Sequence, residues 1–293
     1  MHVPLNIHEQ VAFLCVDYRS RGRIVKSPVG SCFFVCVHNH ARNCIFGYLV
    51  TAKHVWESFK NKKPSYARLN KQRVLAGESG VIYIRLPKDG WIFHKDSTVD
   101  LAVLPWSEST MPRNYRFVYS EFEEIAKTEE TMKKEGLPWP PREGEDVIHA
   151  GLLLQYHGHE RNFSVIRRGH IALVTNEKMN SWYGLSNYYL IDLHAYPGHS
   201  GGPVWVVYPT KETGITLFLL GVLVGGYPEL QEILEVKRAG LSKIQYYSLG
   251  ISMVVPSSKL IEIINSPEME EMRKRDEPKP KLGVPLTPST SGT

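Results

Sequence analysis

The sequence predicts an all-β protein whose strands fall into two sets, and three observations carry that expectation. Val, Ile, Tyr and Phe recur in short runs separated by Gly, Pro and Asn, a composition of strands and tight turns. The strand-like runs break at Pro105 and resume near residue 147. Of 293 residues 42% are apolar, enough to bury a substantial core.

The first set of runs lies at about 31–37, 45–51, 81–86 and 100–104, and is expected to form an N-terminal barrel over 1–105. A connector follows over 106–145. Within it, SEFEEIAKTEETMKKEG places Glu123 three residues after Ser120, the spacing of a capping box, and Gly136 supplies a stop. One connector helix is therefore expected, with Phe122 and Ile125 as its buried face. The prolines of LPWPPREGE cannot continue a helix and return the chain to strands.

The second set lies at about 147–154, 165–174, 188–192, 203–208, 217–224 and 248–253, and predicts a C-terminal barrel within 146–275. After Pro256, SSKLIEIIN has a serine cap and apolar residues at Leu260, Ile261, Ile263 and Ile264. This is the pattern of an amphipathic closing helix packed on the second barrel. Residues 276–293 are rich in Pro, Ser and Thr and are expected to be a disordered tail.

Composition narrows the classes of partner. The 35 basic and 30 acidic side chains give a net charge of only +5. The basic clusters, Lys60 with Lys62 and Lys63 and then Arg273, Lys274 and Arg275, read as solvated faces, so no nucleic-acid partner is expected. No stretch approaches the roughly 20 apolar residues of a membrane helix, and MHVPLNIHEQVAFLC lacks the pattern of a secretion signal. A cytoplasmic location without membrane contact is the expectation.

Cys15, Cys32, Cys36 and Cys44 all lie in the first sixth of the chain. If Cys32 and Cys36 share a strand, four steps of about 3.3 Å hold them about 13 Å apart, too far for a disulfide or one zinc ion. Buried thiols are expected, with a Cys36 to Cys44 bridge left open because HNHARN could turn a hairpin between them. The spaced pairs His38 and His40, and His157 and His159, have no acidic or thiolate cluster to complete a metal site. Neither metal nor cofactor is expected.

The strongest local signal is Pro197-Gly198-His199-Ser200-Gly201-Gly202-Pro203, a rigid turn before the strand-like VWVVY. Such a turn can present a hydroxyl. Acyl transfer also needs donors for a tetrahedral oxyanion, and the amides of Gly198 and Ser200 are the candidates. A serine needs a base, and His54 follows a strand-like run ending in Thr51-Ala52. The base needs a buried carboxylate to fix its tautomer, and Asp100 begins the apolar run DLAVL. Asp192 could be a pocket wall or a structural hydrogen-bond acceptor.

Four segments in this order resemble the trypsin-like serine protease superfamily, and more narrowly the HtrA-like and related bacterial trypsin-like peptidases: Gly30 to Phe33, Thr51 to Val55, Asp100 to Leu104, and Asp192 to Pro203. Arg168-Gly169-His170-Ile171 and Gly250 to Pro256 echo further strands, so the likeness spans about 28–265. It implies a chymotrypsin-like fold of two antiparallel six-stranded β-barrels with a connector helix and a C-terminal helix. It implies a catalytic triad of His54, Asp100 and Ser200 and an oxyanion hole from the Gly198 and Ser200 amides. Leu223, Val224, Gly225 and Gly226 would belong to the substrate-binding strand, and Ala195, Tyr196 and Leu223 would line a pocket for an apolar residue.

The chain departs from that pattern in three places. His199 stands where secreted trypsin-like enzymes place an aspartate that captures a new N-terminus, so activation of that kind is not expected. The residues after the last helix are too few for the peptide-binding (PDZ) module that typically follows an HtrA protease domain. The 106–145 segment is longer than the family's usual connector. The resemblance implies a serine endopeptidase acting on a protein or peptide; the competing expectation is an inactive or partner-activated peptide-binding module of the same fold.

Overall fold

The first hairpin is closed by Arg21 and Gly22, both at positive φ (46° and 77°), the two-residue turn whose twist matches paired strands. It joins β1 (Val11–Ser20) to β2 (Arg23–Asn39), with Ser20 opposite Arg23. In a computed structural model the described residues are 5–61, 64–72, 74, 78–106, 120–181, 183–210, 214–229 and 247–277. The tail expected to be disordered, apart from Asp276 and Glu277, lies outside them, as do Lys62 and Lys63.

The N-terminal half continues through β3 (Cys44–Thr51), α1 (Lys53–Phe59), β4 (Ser65–Asn70), β5 (Val81–Arg85), β6 (Ile92–Phe93), β7 (Ala102–Trp106) and β8 (Ser120–Glu121). Its hydrogen-bonded order is β5-β4-β1-β2-β3-β7-β6, and β8 adds to β2 in parallel at Val35 and Cys36. The connector holds two short helices, α2 (Phe122–Ile125) and α3 (Glu129–Lys134), where the sequence predicts one. The capping box is made by Thr128 and Thr131, which restarts the helix, while Ser120 is in a strand opposite Val35.

The C-terminal half contains β9 (Asp146–Leu152), β10 (Ser164–Val174), β11 (Met179–Ser181), β12 (Gly184–Ser186), β13 (Tyr189–Asp192), β14 (Pro203–Thr210), β15 (Gly214–Glu229) and β16 (Tyr247–Pro256). Six of these close into an antiparallel barrel, β10-β13-β16-β15-β14-β9, and β11 and β12 form a separate ribbon. The all-β class is the one expected, and every run named for the second barrel is a strand. Two long strands escape sequence reading. β1 opens with six wholly buried residues and so lacks alternation, and β4 carries an arginine at its centre.

α4 (Ser257–Ile264) and α5 (Pro267–Asp276) end the described chain. Leu260, Ile263 and Ile264 of α4 share one apolar cluster with Phe34, Leu49 and Leu104 of the N-terminal sheet and Val222, Val224 and Val255 of the barrel. The helix therefore seals the seam between the halves rather than the second barrel alone. Arg273 of α5 donates to the Tyr48 hydroxyl at 3.0 Å and to the Ile264 carbonyl at 2.8 Å.

All four cysteines are thiols, three of them buried. Cys36 faces Gly47 and Cys44 faces Asn39, so the bridge left open by the sequence is out of register. Burial pushes the Cys15 thiol up to about 12.

The arginine at the centre of β4 explains a second seam. Arg68 is only 2% exposed. Its guanidinium donates to the carbonyls of His157 (3.1 Å), Gly158 (2.8 Å) and His159 (3.1 Å) and to Asn162 Oδ1 (2.5 Å). Asn162 returns a bond from Nδ2 to the Arg68 carbonyl at 2.6 Å. The charge is thus solvated by neutral oxygens of a C-terminal loop, which ties that loop to the N-terminal sheet. Replacing Arg68 by Met strands those acceptors in the interior. We expect a loss of about 3 kcal/mol in urea unfolding, with no recovery in Arg68→Lys, because an ammonium cannot reproduce the planar fork.

Candidate active site

β3 ends at Thr51, Ala52 is extended (φ −74°, ψ 143°), and α1 starts at Lys53 without a side-chain cap. The first amides of a helix have no partner inside it. Here the His54 N–H donates to Asp100 Oδ1 at 2.9 Å, while His54 Nδ1 lies 2.7 Å from Asp100 Oδ2. Asp100 is 3% exposed, between buried Val99 and Leu101. A carboxylate only accepts, so Nδ1 carries the proton and the bare lone pair is at Nε2. One carboxylate thus fixes the ring's position and its tautomer.

The Ser200 turn is seated on Ser31, a residue not singled out by the sequence. Ser31 is fully buried. Its N–H donates to the Ser200 carbonyl at 2.9 Å, and its Oγ donates to the Gly198 carbonyl at 2.7 Å. The same Oγ accepts from the Leu152 N–H at 2.8 Å, and the Ser31 carbonyl accepts from Thr51 Oγ1 at 2.8 Å. The turn is pressed in closely: a Cβ on Gly201 would lie 2.2 Å from the Ser31 carbonyl oxygen, 2.3 Å from Thr51 Oγ1 and 3.1 Å from the Ala52 nitrogen. Ser200-Gly201 therefore lies against the residues that lead into His54.

The amides of this turn alternate. His199 N–H donates to Tyr196 O at 3.0 Å and Gly201 N–H to Leu223 O at 2.8 Å. Among the described residues the amides of Gly198 and Ser200 meet no protein acceptor. Tyr196-Pro197-Gly198-His199 has Pro second and Gly third, with Gly198 at φ 100°. That is a type II turn, whose central amide is flipped relative to type I. Gly198 is a buried residue, and its unpaired N–H is a donor available to a ligand oxygen.

The Ser200 hydroxyl donates to the Val224 carbonyl at 3.3 Å. Pairing between β14 and β15 stops at Pro203 and Val222, while Gly225 and Gly226 pair with β16 on the other side. Among the described residues, no strand pairs with the edge of Val224 to Gly226 that faces Ser200. Leu223 is fully buried in the barrel core and supports the turn from behind through its backbone. Ala195 is half-buried; the Tyr196 ring lies 4.8 Å from His194 and 5.1 Å from the Arg167 guanidinium. Asp192 is exposed.

Behind the turn lie two wholly buried histidines, His199 and His149, with ring centroids 4.9 Å apart. Burial pushes His199 down to about 4, helped by Arg167 and His194, and pushes His149 down to about 3. Both are neutral at pH 7. The His38 and His40 rings meet at a tilt, 4.1 Å between centroids, and His157 and His159 lend carbonyls to Arg68. No group of three or more metal-ligating side chains occurs among the described residues, and no helix there is long and apolar enough to cross a membrane. A cavity of about 490 Å³ lies on the flank of α1, lined by Trp56, Phe59, Arg85 and Trp91, away from Ser200.

The fold is that of an all-β, chymotrypsin-like protein in which the described residues form one closed six-stranded barrel and, where a second six-stranded barrel is expected, an eight-stranded N-terminal sheet with one parallel pair. No family model matches the sequence, and no curated protein matches it. Among solved structures, the protease domain of MamO from Magnetospirillum magneticum, in its apo form, is similar over 89% of this chain and 99% of that one, at 11% identity and a TM-score of 0.50. The active form of the Rv3671c protease from M. tuberculosis matches 88% of this chain and 80% of that one, at 16% identity and a TM-score of 0.45. Its inactive form matches 88% of each, at 14% and 0.43. At 11% identity, the MamO likeness establishes the shared fold.

The buried histidines make stability depend on pH. Their folded values, about 3 and 4, lie below the ordinary 6.5, so the unfolded chain binds two more protons between roughly pH 6.5 and 4. Stability from this pair is complete above 6.5 and falls as pH drops through that window. Near pH 5 the expected slope is about 2–3 kcal/mol per pH unit, read from urea unfolding at a series of pH values. A flat profile from 6.5 to 4.5 would show that the rings are not buried neutral.

Proposed function

We propose that this chain is a serine endopeptidase that hydrolyses an extended segment of a protein or peptide through an acyl-enzyme intermediate. The observation that carries the reading is the alternation of amides through the Ser200 turn, two bonded and two open, in a turn pressed against the Thr51-Ala52 segment that leads into His54, whose ring is oriented by Asp100. Ser200 Oγ attacks the scissile carbonyl carbon while His54 Nε2 removes its proton. The carbonyl oxygen becomes an oxyanion, held by the Gly198 and Ser200 amides. His54 then gives the proton to the leaving nitrogen, the C–N bond breaks and the acyl group stays on Ser200. Water, deprotonated by His54, attacks the ester and releases the acid.

The open edge of Val224 to Gly226 supports binding of substrate backbone as an added strand. The side chain before the cleaved bond then sits beside Ala195 and Tyr196, and an apolar residue fits that wall. No cofactor or metal takes part in these steps.

The bond from Ser200 Oγ to Val224 O favours one second reading. A hydroxyl held there is turned to the strand edge, as in a peptide-binding module that reacts only when a partner or ligand displaces the bond. The two readings separate in one experiment. The wild-type protein is profiled on a peptide library and treated with an organophosphonate, beside Ser200→Ala. The peptidase reading expects labelling at Ser200 and a loss of turnover on the order of 10⁶-fold in a folded variant. Cleavage retained by Ser200→Ala defeats it; peptide binding without cleavage or labelling in the wild type supports the module.

A further inference from the structure

The two buried histidines have complementary loose ends. His199 Nδ1 lies 3.3 Å from the Tyr196 nitrogen. A backbone N–H can only donate, so Nδ1 accepts and the His199 proton sits on Nε2. His149 Nδ1 lies 2.9 Å from the Pro203 carbonyl oxygen. A carbonyl can only accept, so His149 is protonated at Nδ1 and its Nε2 is a bare lone pair. Both Nε2 atoms are buried without a partner. One is a donor lacking an acceptor, the other an acceptor lacking a donor.

The rings stand 4.9 Å apart at an interplanar angle of 50°. Two imidazoles joined edge to edge by a nitrogen–nitrogen hydrogen bond of ordinary length have centroids about 5 Å apart, so the separation of these rings is the one such a bond requires. We propose that His149 Nε2 accepts the His199 Nε2–H, and that this bond holds His199 in the tautomer that clamps the Tyr196 amide and keeps the Gly198 amide open. His199 and His149 are positioning residues that act through the turn, and the inference rests on the oxyanion role proposed for it.

The surroundings fit the assignment. Arg167 opposes protonation of both rings and His194 that of His199, and the neutral tautomers are the ones the donor–acceptor chain needs. The His149 ring is confined, since a Cβ on Gly202 would come 2.6 Å from its Cε1 and one on Gly151 2.6 Å from its Nε2. The chain runs from the Pro203 carbonyl, through both rings, to the Tyr196 amide, and so spans both ends of the Ser200 turn.

The test uses the full chain with ¹⁵N-labelled histidine. At neutral pH we expect His199 as the Nε2–H tautomer, His149 as the Nδ1–H tautomer, and a nitrogen–nitrogen coupling between the two Nε2 atoms. In His149→Phe the Tyr196 amide should exchange at least tenfold faster. In the same variant kcat on a peptide substrate should fall about tenfold with KM within twofold, and His149→Gln, which keeps an acceptor and a donor, should recover most of it. If His149→Phe does not fold, the coupling and the Gln variant decide.

Matching tautomers on the two rings, no coupling, or unchanged Tyr196 exchange in a folded His149→Phe overturns the proposal. These readouts need no catalysis, so an inactive wild type would defeat the peptidase reading while the ring bond is judged separately.

Discussion

Ser31 is the point at which the molecule becomes one object. A single buried serine bonds the carbonyls of Gly198 and Ser200, the Leu152 amide and the Thr51 hydroxyl, so three other stretches of chain meet at its backbone and Oγ. Each bond alone is worth about 1 kcal/mol net, but a buried group left without its partner costs more. The arrangement therefore tolerates no partial version. It sets the height of the serine turn against the end of β3, and β3 leads directly into His54.

From that fixed contact the electrostatics follow. A carboxylate buried beside α1 meets both a helix amide and a ring nitrogen, so the imidazole cannot present the wrong edge to the groove. Across the groove, Pro197 and the positive φ of Gly198 set the peptide orientation, while Ser31 holds the Gly198 carbonyl on the far side. The two open amides are then fixed before any ligand arrives. Preorganised donors of this kind need no rearrangement when charge develops.

Much of this was legible in the sequence because it lies in short local patterns. Glycines around Ser200, a histidine after Thr51-Ala52 and an aspartate before an apolar run are all readable within a few residues. The supporting layer is not. Ser31 reads as one small polar residue in a strand, His149 as a lone histidine between Ile148 and Ala150, and neither reveals its partner more than 40 residues away. The strands β1 and β4 were hidden for the opposite reasons, one too uniformly apolar to show a period and the other broken by an arginine that solvates itself on carbonyls. The connector was misread because Ser120 and Glu123 mimic a cap that Thr128 and Thr131 actually make.

Arg68 has a consequence for how the two halves come apart. Its partners are neutral oxygens, so neither added electrolyte nor carboxylate protonation weakens the bonds it makes. The histidines behind the serine turn are the opposite case, since acid charges them where no counter-ion waits. Lowering the pH should thus unmake the protein in sequence, loosening the interior beneath the groove while the joint between the halves still holds. The species first populated in acid would be a docked pair with a disordered serine turn, and restoring neutral pH would need only local repair.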